Sequence, residues 1–235
     1  MALRTLLIFL VFPVLLFGLG GCALQQRTAS QIYVLDLAQK QSAAPVAGTG
    51  LKPKIAVSVP QTWPGFGSLE IAYTRVPNRI EYYAHSEWAD NPAQMIGPLL
   101  IRALEQSGEF SAVVTPGKGI ATDLRLDSEI VKIQQDFDVS PSVGRVVLRV
   151  QLIDLPTTRV IGTQTFQATV PAATDDPPGG VAAMNKALSI VLDQIVGYFK
   201  QLIAAQPKRL ESRNTGFWDG RGGFVGRQPA RKGRS

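Results

Sequence analysis

The stretch Leu19-Gly20-Gly21-Cys22 constrains this chain more than any other, because it closes a hydrophobic leader on the only cysteine in 235 residues. Arg4 supplies a positive start and Leu6 to Phe17 an apolar run, with small glycines just before Cys22. That order is the grammar of a cleaved secretory signal. The run is too short for a lasting membrane span, Pro13 interrupts it, and no stop-transfer charges follow. Whatever folds after the leader must do so without a disulfide, on the strength of its hydrophobic core alone.

Leu19 to Cys22 resembles the lipobox of bacterial lipoproteins. The resemblance implies cleavage after Gly21, a diacylglycerol on the Cys22 thiol and an acyl chain on its new amine. No other cofactor is expected. The alternative, an ordinary signal peptide beside an incidental cysteine, leaves the position of the one cysteine unexplained. With a single histidine, His85, in the whole chain, a histidine metal site or a hydrolase triad has too few parts.

The net charge of +6 is unevenly placed. Residues 206–235 hold eight Lys and Arg against Glu211 and Asp219, so the end of the chain carries the whole excess. Residues 22–205 have fifteen basic and sixteen acidic groups. A near-neutral body lacks the electrostatic footprint of nucleic-acid binding. The sequence divides into a leader (1–21), a polar tether (22–30), one domain (31–205) whose element order fits an α/β fold and leaves an α+β sandwich open, and a basic Gly/Arg-rich tail (206–235) too poor in apolar residues to offset its ordering entropy.

Within the domain, Gln31–Leu37 and Lys54–Val59 read as strands rich in branched and aromatic residues, the second stopped by Pro60. Gln61 to Ser68 contains Pro64, Gly65 and Gly67, which predicts an irregular loop. Leu69–Thr74 and Asn78–Ala84 read as a strand pair around a Pro77 turn. A helix follows from Pro92, capped by Asp90 or Asn91 and ended by Gly108, with a kink or a delayed start expected at Pro98. Phe110–Val114 is a short strand. Asp123 to Val170 reads as an antiparallel meander, with a bulge near Ile130, where the buried parity changes. After Asp175-Asp176-Pro177-Pro178 the steps of three and four from Val181 to Leu202 predict a long core helix.

Nothing in the pattern carries catalysis: there is no phosphate loop, metal spacing or nucleophile elbow. His85, Ser86 and Glu87 are adjacent in sequence, whereas triads assemble from distant positions. Asp123, Asp127 and Glu129 read as a solvated strand face. The aromatic pair Trp63 and Phe66 is the candidate partner-binding site: large rings in an irregular loop either fold back onto the core or stand exposed to meet a partner or lipid. If both are exposed, replacing both by alanine should leave stability within about 1 kcal/mol; if they fold onto the core, it should not.

From Tyr82 to Phe110 the chain reads Tyr-Tyr-Ala-His-Ser-Glu-Trp-Ala-Asp, then a helix ending Ala-Leu-Glu-Gln-Ser-Gly, then Glu-Phe. Together with Tyr33-Val34-Leu35 and Ile55-Ala56-Val57 before Pro60, it resembles the ABC-type transport auxiliary lipoprotein family, which includes paraquat-inducible protein C. The likeness covers Ile32 to Ile203. The family's usual Pro-x-Tyr-Leu-Asp-Arg loop is replaced by Pro60-Gln61-Thr62-Trp63-Pro64-Gly65. The resemblance implies a mixed β-sheet with two main helices packed on it, similar to the TolB N-terminal domain. It implies a non-enzymatic lipoprotein on the periplasmic face of the outer membrane, working beside an ABC permease, an ATPase and a mammalian-cell-entry (MCE) domain protein in lipid transport. A general outer-membrane assembly or cell-wall lipoprotein of similar fold stays open as the alternative, as does homo-oligomerisation.

Overall fold

A computed structural model describes residues 29–37, 52–117 and 119–205. Cys22, Gly21, the leader, the tether up to residue 28 and the tail 206–235 lie outside the described residues. The architecture is α/β: among the described residues there are nine strands in one mixed sheet, and two helices.

The sheet is built on β7, Leu124–Asp136, the thirteen-residue third-last strand. At roughly 3.3 Å per residue it is about 40 Å long, enough to serve several short neighbours in succession. One edge pairs antiparallel with β8, Val143–Asp154, which pairs antiparallel with β9, Arg159–Pro171. The other edge takes three parallel partners in turn. Lys54–Val57 (β2) pairs with its start, Gln61–Thr62 (β3) with its middle and Glu70–Thr74 (β4) with its end. The sheet therefore forks. β2 carries Ala112–Val114 (β6) outward, and β4 carries Glu81–Trp88 (β5) and then Gln31–Tyr33 (β1).

The predicted meander is present, and the predicted parity change is a bulge: the β7–β8 register shifts between Ile130 and Lys132. Before it Leu124, Leu126 and Ile130 are buried; after it Ile133 takes over. Val146, Leu148, Val150 and Leu152 form the matching stripe on β8. Three expectations need correction. Gln61–Thr62 is a strand, because β7 offers it a vacant edge between β2 and β4. The strand expected over Asn78–Ala84 instead spans Glu81–Trp88, since β1 pairs with Ser86 to Trp88 and holds that half extended. The helix α1, Pro92–Ser107, starts at Pro92 and continues through Pro98, which overturns the delayed start. Pro98 and Gln94 both face solvent, so water can satisfy the carbonyl that the proline leaves without a donor.

α1 is capped by the Asn91 side chain, which accepts from the Ala93 N–H at 2.9 Å, and ends on Gly108 in the left-handed conformation (φ 66°). α2, Pro177–Ala204, is capped by Asp176, which accepts from the Gly179 N–H at 2.9 Å. It lies over β7, β8 and β9 and touches α1. By length and composition it could cross a membrane, yet Met184, Leu188, Val191, Ile195 and Phe199 are buried in the core shared with both helices. Gly144 permits this close approach. A Cβ there would come within 2.5 Å of the Met184 nitrogen and 2.6 Å of the Ala183 carbonyl carbon.

Candidate functional site

The loop carrying Trp63 and Phe66 leaves β3 along the edge of β7. The Trp63 N–H donates to the Ile130 carbonyl at 3.0 Å, and the Phe66 N–H to the Trp63 carbonyl at 3.1 Å. Gly65 adopts φ 93°, a region that favours glycine. Its carbonyl accepts from the Tyr82 hydroxyl at 3.1 Å. The Gly67 carbonyl accepts from the Asn91 side-chain amide. The loop is thus tied to β7, to β5 and to the start of α1.

These ties separate the two rings. Phe66 is only 6% exposed and joins the core, while Trp63 is 48% exposed. The expectation of a two-ring exposed anchor is corrected for Phe66. Its backbone follows a tight turn that directs the ring inward, against the core that includes Ala72 and Ile71. A double alanine variant therefore cannot stay within 1 kcal/mol of the parent. Trp63 remains as the exposed ring, two positions on from Gln61.

Gln61 borders an open groove of about 380 Å³, lined also by Ser58, Val59, Arg125, Asp127, Glu129, Arg149 and Gln151. Its charges are internally matched. The Arg125 guanidinium donates to Asp127 at 3.0 Å, and Ser58 Oγ donates to the same carboxylate at 2.7 Å. Arg149 faces Glu129 across the β7–β8 ladder at 3.5 Å. As predicted, Asp127 and Glu129 belong to a solvated strand face. Such a groove offers hydrogen bonds to a polar backbone or headgroup, with no charge left over to drive chemistry.

His85 is exposed and Ser86 buried, so these neighbours share no site. Among the described residues no group of three His, Cys, Asp or Glu is placed to hold a metal. A buried polar chain that pattern reading missed lies where β7 ends. Tyr83 donates to Gln135 Oε1 at 2.7 Å, and Gln135 Nε2 donates to Ser142 Oγ at 2.7 Å. Asp175 accepts from the Ser142 N–H at 2.9 Å. Gln135 is fully buried, and Gly180 makes room for it: a Cβ there would lie 1.9 Å from Gln135 Oε1. Burial pushes the Tyr83 hydroxyl far above its ordinary range, so it stays a donor. Its sequence signal was a glutamine at a core-facing position of β7 opposite a Gly-Gly pair in α2. The chain ties strands to helix and is structural.

Comparison with known proteins agrees with the fold. Protein XCC0632 from Xanthomonas campestris, described under DUF330, superposes with TM-score 0.63 at 22% identity, over 76% of this chain and 99% of that one. An uncharacterized protein superposes with TM-score 0.58 at 11% identity, over 73% and 99%. No curated protein matches the sequence. Residues 33–196 match the family described as the ABC-type transport auxiliary lipoprotein component. With that match spanning most of the folded region, the chain belongs to the ABC-type transport auxiliary lipoprotein family.

Proposed function

We propose that this lipoprotein is a non-catalytic docking subunit, anchored through Cys22 to the periplasmic face of the outer membrane. Its partner is the MCE-domain protein of an ABC-driven system that moves lipid between membranes. The observation that carries the docking role is Trp63. It is a half-exposed indole on a loop fixed by backbone bonds, two residues on from Gln61, which lines a groove whose charges are already paired. A large aromatic held out on a fixed loop is a common form of protein-interface anchor. Family membership supplies the transporter, and the Gly-Gly-Cys22 leader supplies the anchor. Ala23 after that cysteine, where an Asp is the usual inner-membrane retention signal, favours the outer membrane.

The test is capture from solubilised envelopes. Wild-type lipoprotein should retain an MCE-domain protein with its permease and ATPase. Trp63→Ala should lose at least about tenfold of that capture, the loss of one interface anchor, while remaining folded. Unchanged capture by a folded Trp63→Ala variant would remove Trp63 from the interface. Capture of cell-wall or assembly proteins in place of a transporter would refute the transport role.

A further inference from the structure

We infer that the end of the domain formed by the β4–β5 and β7–β8 turns lies against the phospholipid headgroups of the membrane that holds the anchor. The inference rests on the Cys22 anchor proposed above and adds which surface the anchor brings to the bilayer.

The direction of the entering chain comes first. β1 runs parallel to β5, with Gln31 opposite Ser86 and Tyr33 opposite Trp88. Followed backward from Gln31, the chain therefore heads toward the start of β5 at Glu81. Glu81 lies opposite Tyr73, and Tyr73 opposite Gln135, at the far end of β7. From the level of Ser86 to that of Glu81 is five strand positions, about 17 Å. The nine residues Cys22 to Ser30 span at most ~30 Å, so the acylated cysteine reaches past this end without turning. Reaching the opposite end, where β7 starts at Leu124, requires the tether to reverse. A reversal uses about four residues, and the remaining five span ~17 Å, less than the roughly 20 Å still to cover.

The composition of this end fits its position. All of Arg75 to Ile80 is exposed. Val76 stands 47% exposed on the β4–β5 turn and Val139 50% exposed on the β7–β8 turn. The two turns are joined: the Phe137 N–H donates to the Thr74 carbonyl at 2.8 Å, and the Arg75 guanidinium lies over the Tyr73 ring at 5.0 Å and the Phe137 ring at 6.0 Å. Each of the two joined turns thus presents an exposed aliphatic side chain at this end, with Arg75 and Arg79 on the first turn. The acidic groups nearby are mostly engaged. Arg79 and Arg75 hold Glu81, Arg145 holds Asp136, and Asp175 and Asp176 accept from backbone N–H groups of Ser142 and Gly179. Asp138 alone remains exposed in the turns without a bond to either arginine. Short aliphatic side chains suit the upper acyl boundary, and Arg75 and Arg79, each with its side chain 61% exposed beyond its contact with Glu81, keep outward N–H groups that can donate to phosphate. Each contact is weak by itself, and the tether makes it effective by holding the domain at the surface.

The experiment uses the acylated full-length protein in phosphatidylethanolamine/phosphatidylglycerol vesicles containing brominated acyl chains. Because acylation consumes the Cys22 thiol, Val139→Cys and Ile120→Cys each offer one thiol for a fluorophore. Ile120 is exposed on the loop that leads into the start of β7. The Val139 label should be quenched at least about twofold more than the Ile120 label. Adding Val76→Asp to the Val139→Cys protein should reduce its quenching. Equal quenching at both sites, or stronger quenching at Ile120, would overturn the orientation while leaving the anchor intact. Absence of fatty-acid label on Cys22 would overturn the anchor and the orientation with it.

Discussion

Trp63 and Phe66 stand three residues apart in the sequence, and the structure assigns them opposite energetic roles. At 6% exposure, Phe66→Ala removes nearly a whole ring from a packed core, which costs ~3–5 kcal/mol. Trp63 leaves about half its surface in water, so truncation forfeits only a fraction of that, about 1–2 kcal/mol. The loop backbone should survive either change, because its ties to Ile130, Tyr82 and Asn91 run through main-chain atoms on the loop side. Urea unfolding followed by far-UV circular dichroism reads the difference. With a urea m-value of ~2 kcal/mol/M, Phe66→Ala should lower the midpoint by ~1.5–2.5 M and Trp63→Ala by less than ~1 M, with m unchanged. Midpoints that fall equally for the two variants, or a Phe66→Ala protein as stable as the parent, would refute the separation of roles. The same measurement qualifies the capture assay, since only a variant that stays folded reports on the interface.

Gly144→Ala should destabilise by ~2–3 kcal/mol in the same assay, because its Cβ would meet the main chain of α2, which cannot rotate away. Gly180→Ala should cost a similar ~2–3 kcal/mol by forcing Gln135 off its two partners; combining it with Gln135→Ala should cost clearly less than the sum of the two single changes, and additive effects would refute the shared contact. Acid should weaken the fold. Hydrogen bonds from Arg79 and Tyr73 hold the Glu81 carboxyl below its usual range, those from Ser142 do so for Asp175, and those from Thr174 and Gly179 for Asp176. Their stabilisation is complete above the ordinary carboxylate values and is lost as pH falls through and below them, so the melting temperature should be flat from pH 7 to about 5 and drop below about 4. A melting temperature unchanged down to pH 3 would exclude these caps as contributors.

The end formed by the β4–β5 and β7–β8 turns, the Trp63 loop and the core were legible in the sequence to very different degrees. Local chemistry wrote the two helices plainly. Asp176-Pro177 and Asn91-Pro92 start them, Gly108 ends the first, and apolar steps of three and four mark the buried stripe, since caps and periodicity act within a few residues. The meander and its bulge were readable for the same reason, because β7, β8 and β9 are consecutive and their alternation faces one core. What the sequence could not show is who pairs with whom at a distance. Gln61–Thr62 is a strand because β7 has a free edge there, and Ser86 to Trp88 stay extended because β1, some fifty residues earlier, lies on one side of them and Leu69-Glu70 on the other. Phe66 and Trp63 have the same Pro/Gly surroundings, so no local rule separates them; the turn through Gly65, pinned by Tyr82 from another strand, turns one ring into the core and leaves the other in water. The direction in which the chain enters β1 follows from the same kind of fact, the parallel register of β1 on β5, which exists only once the sheet is assembled.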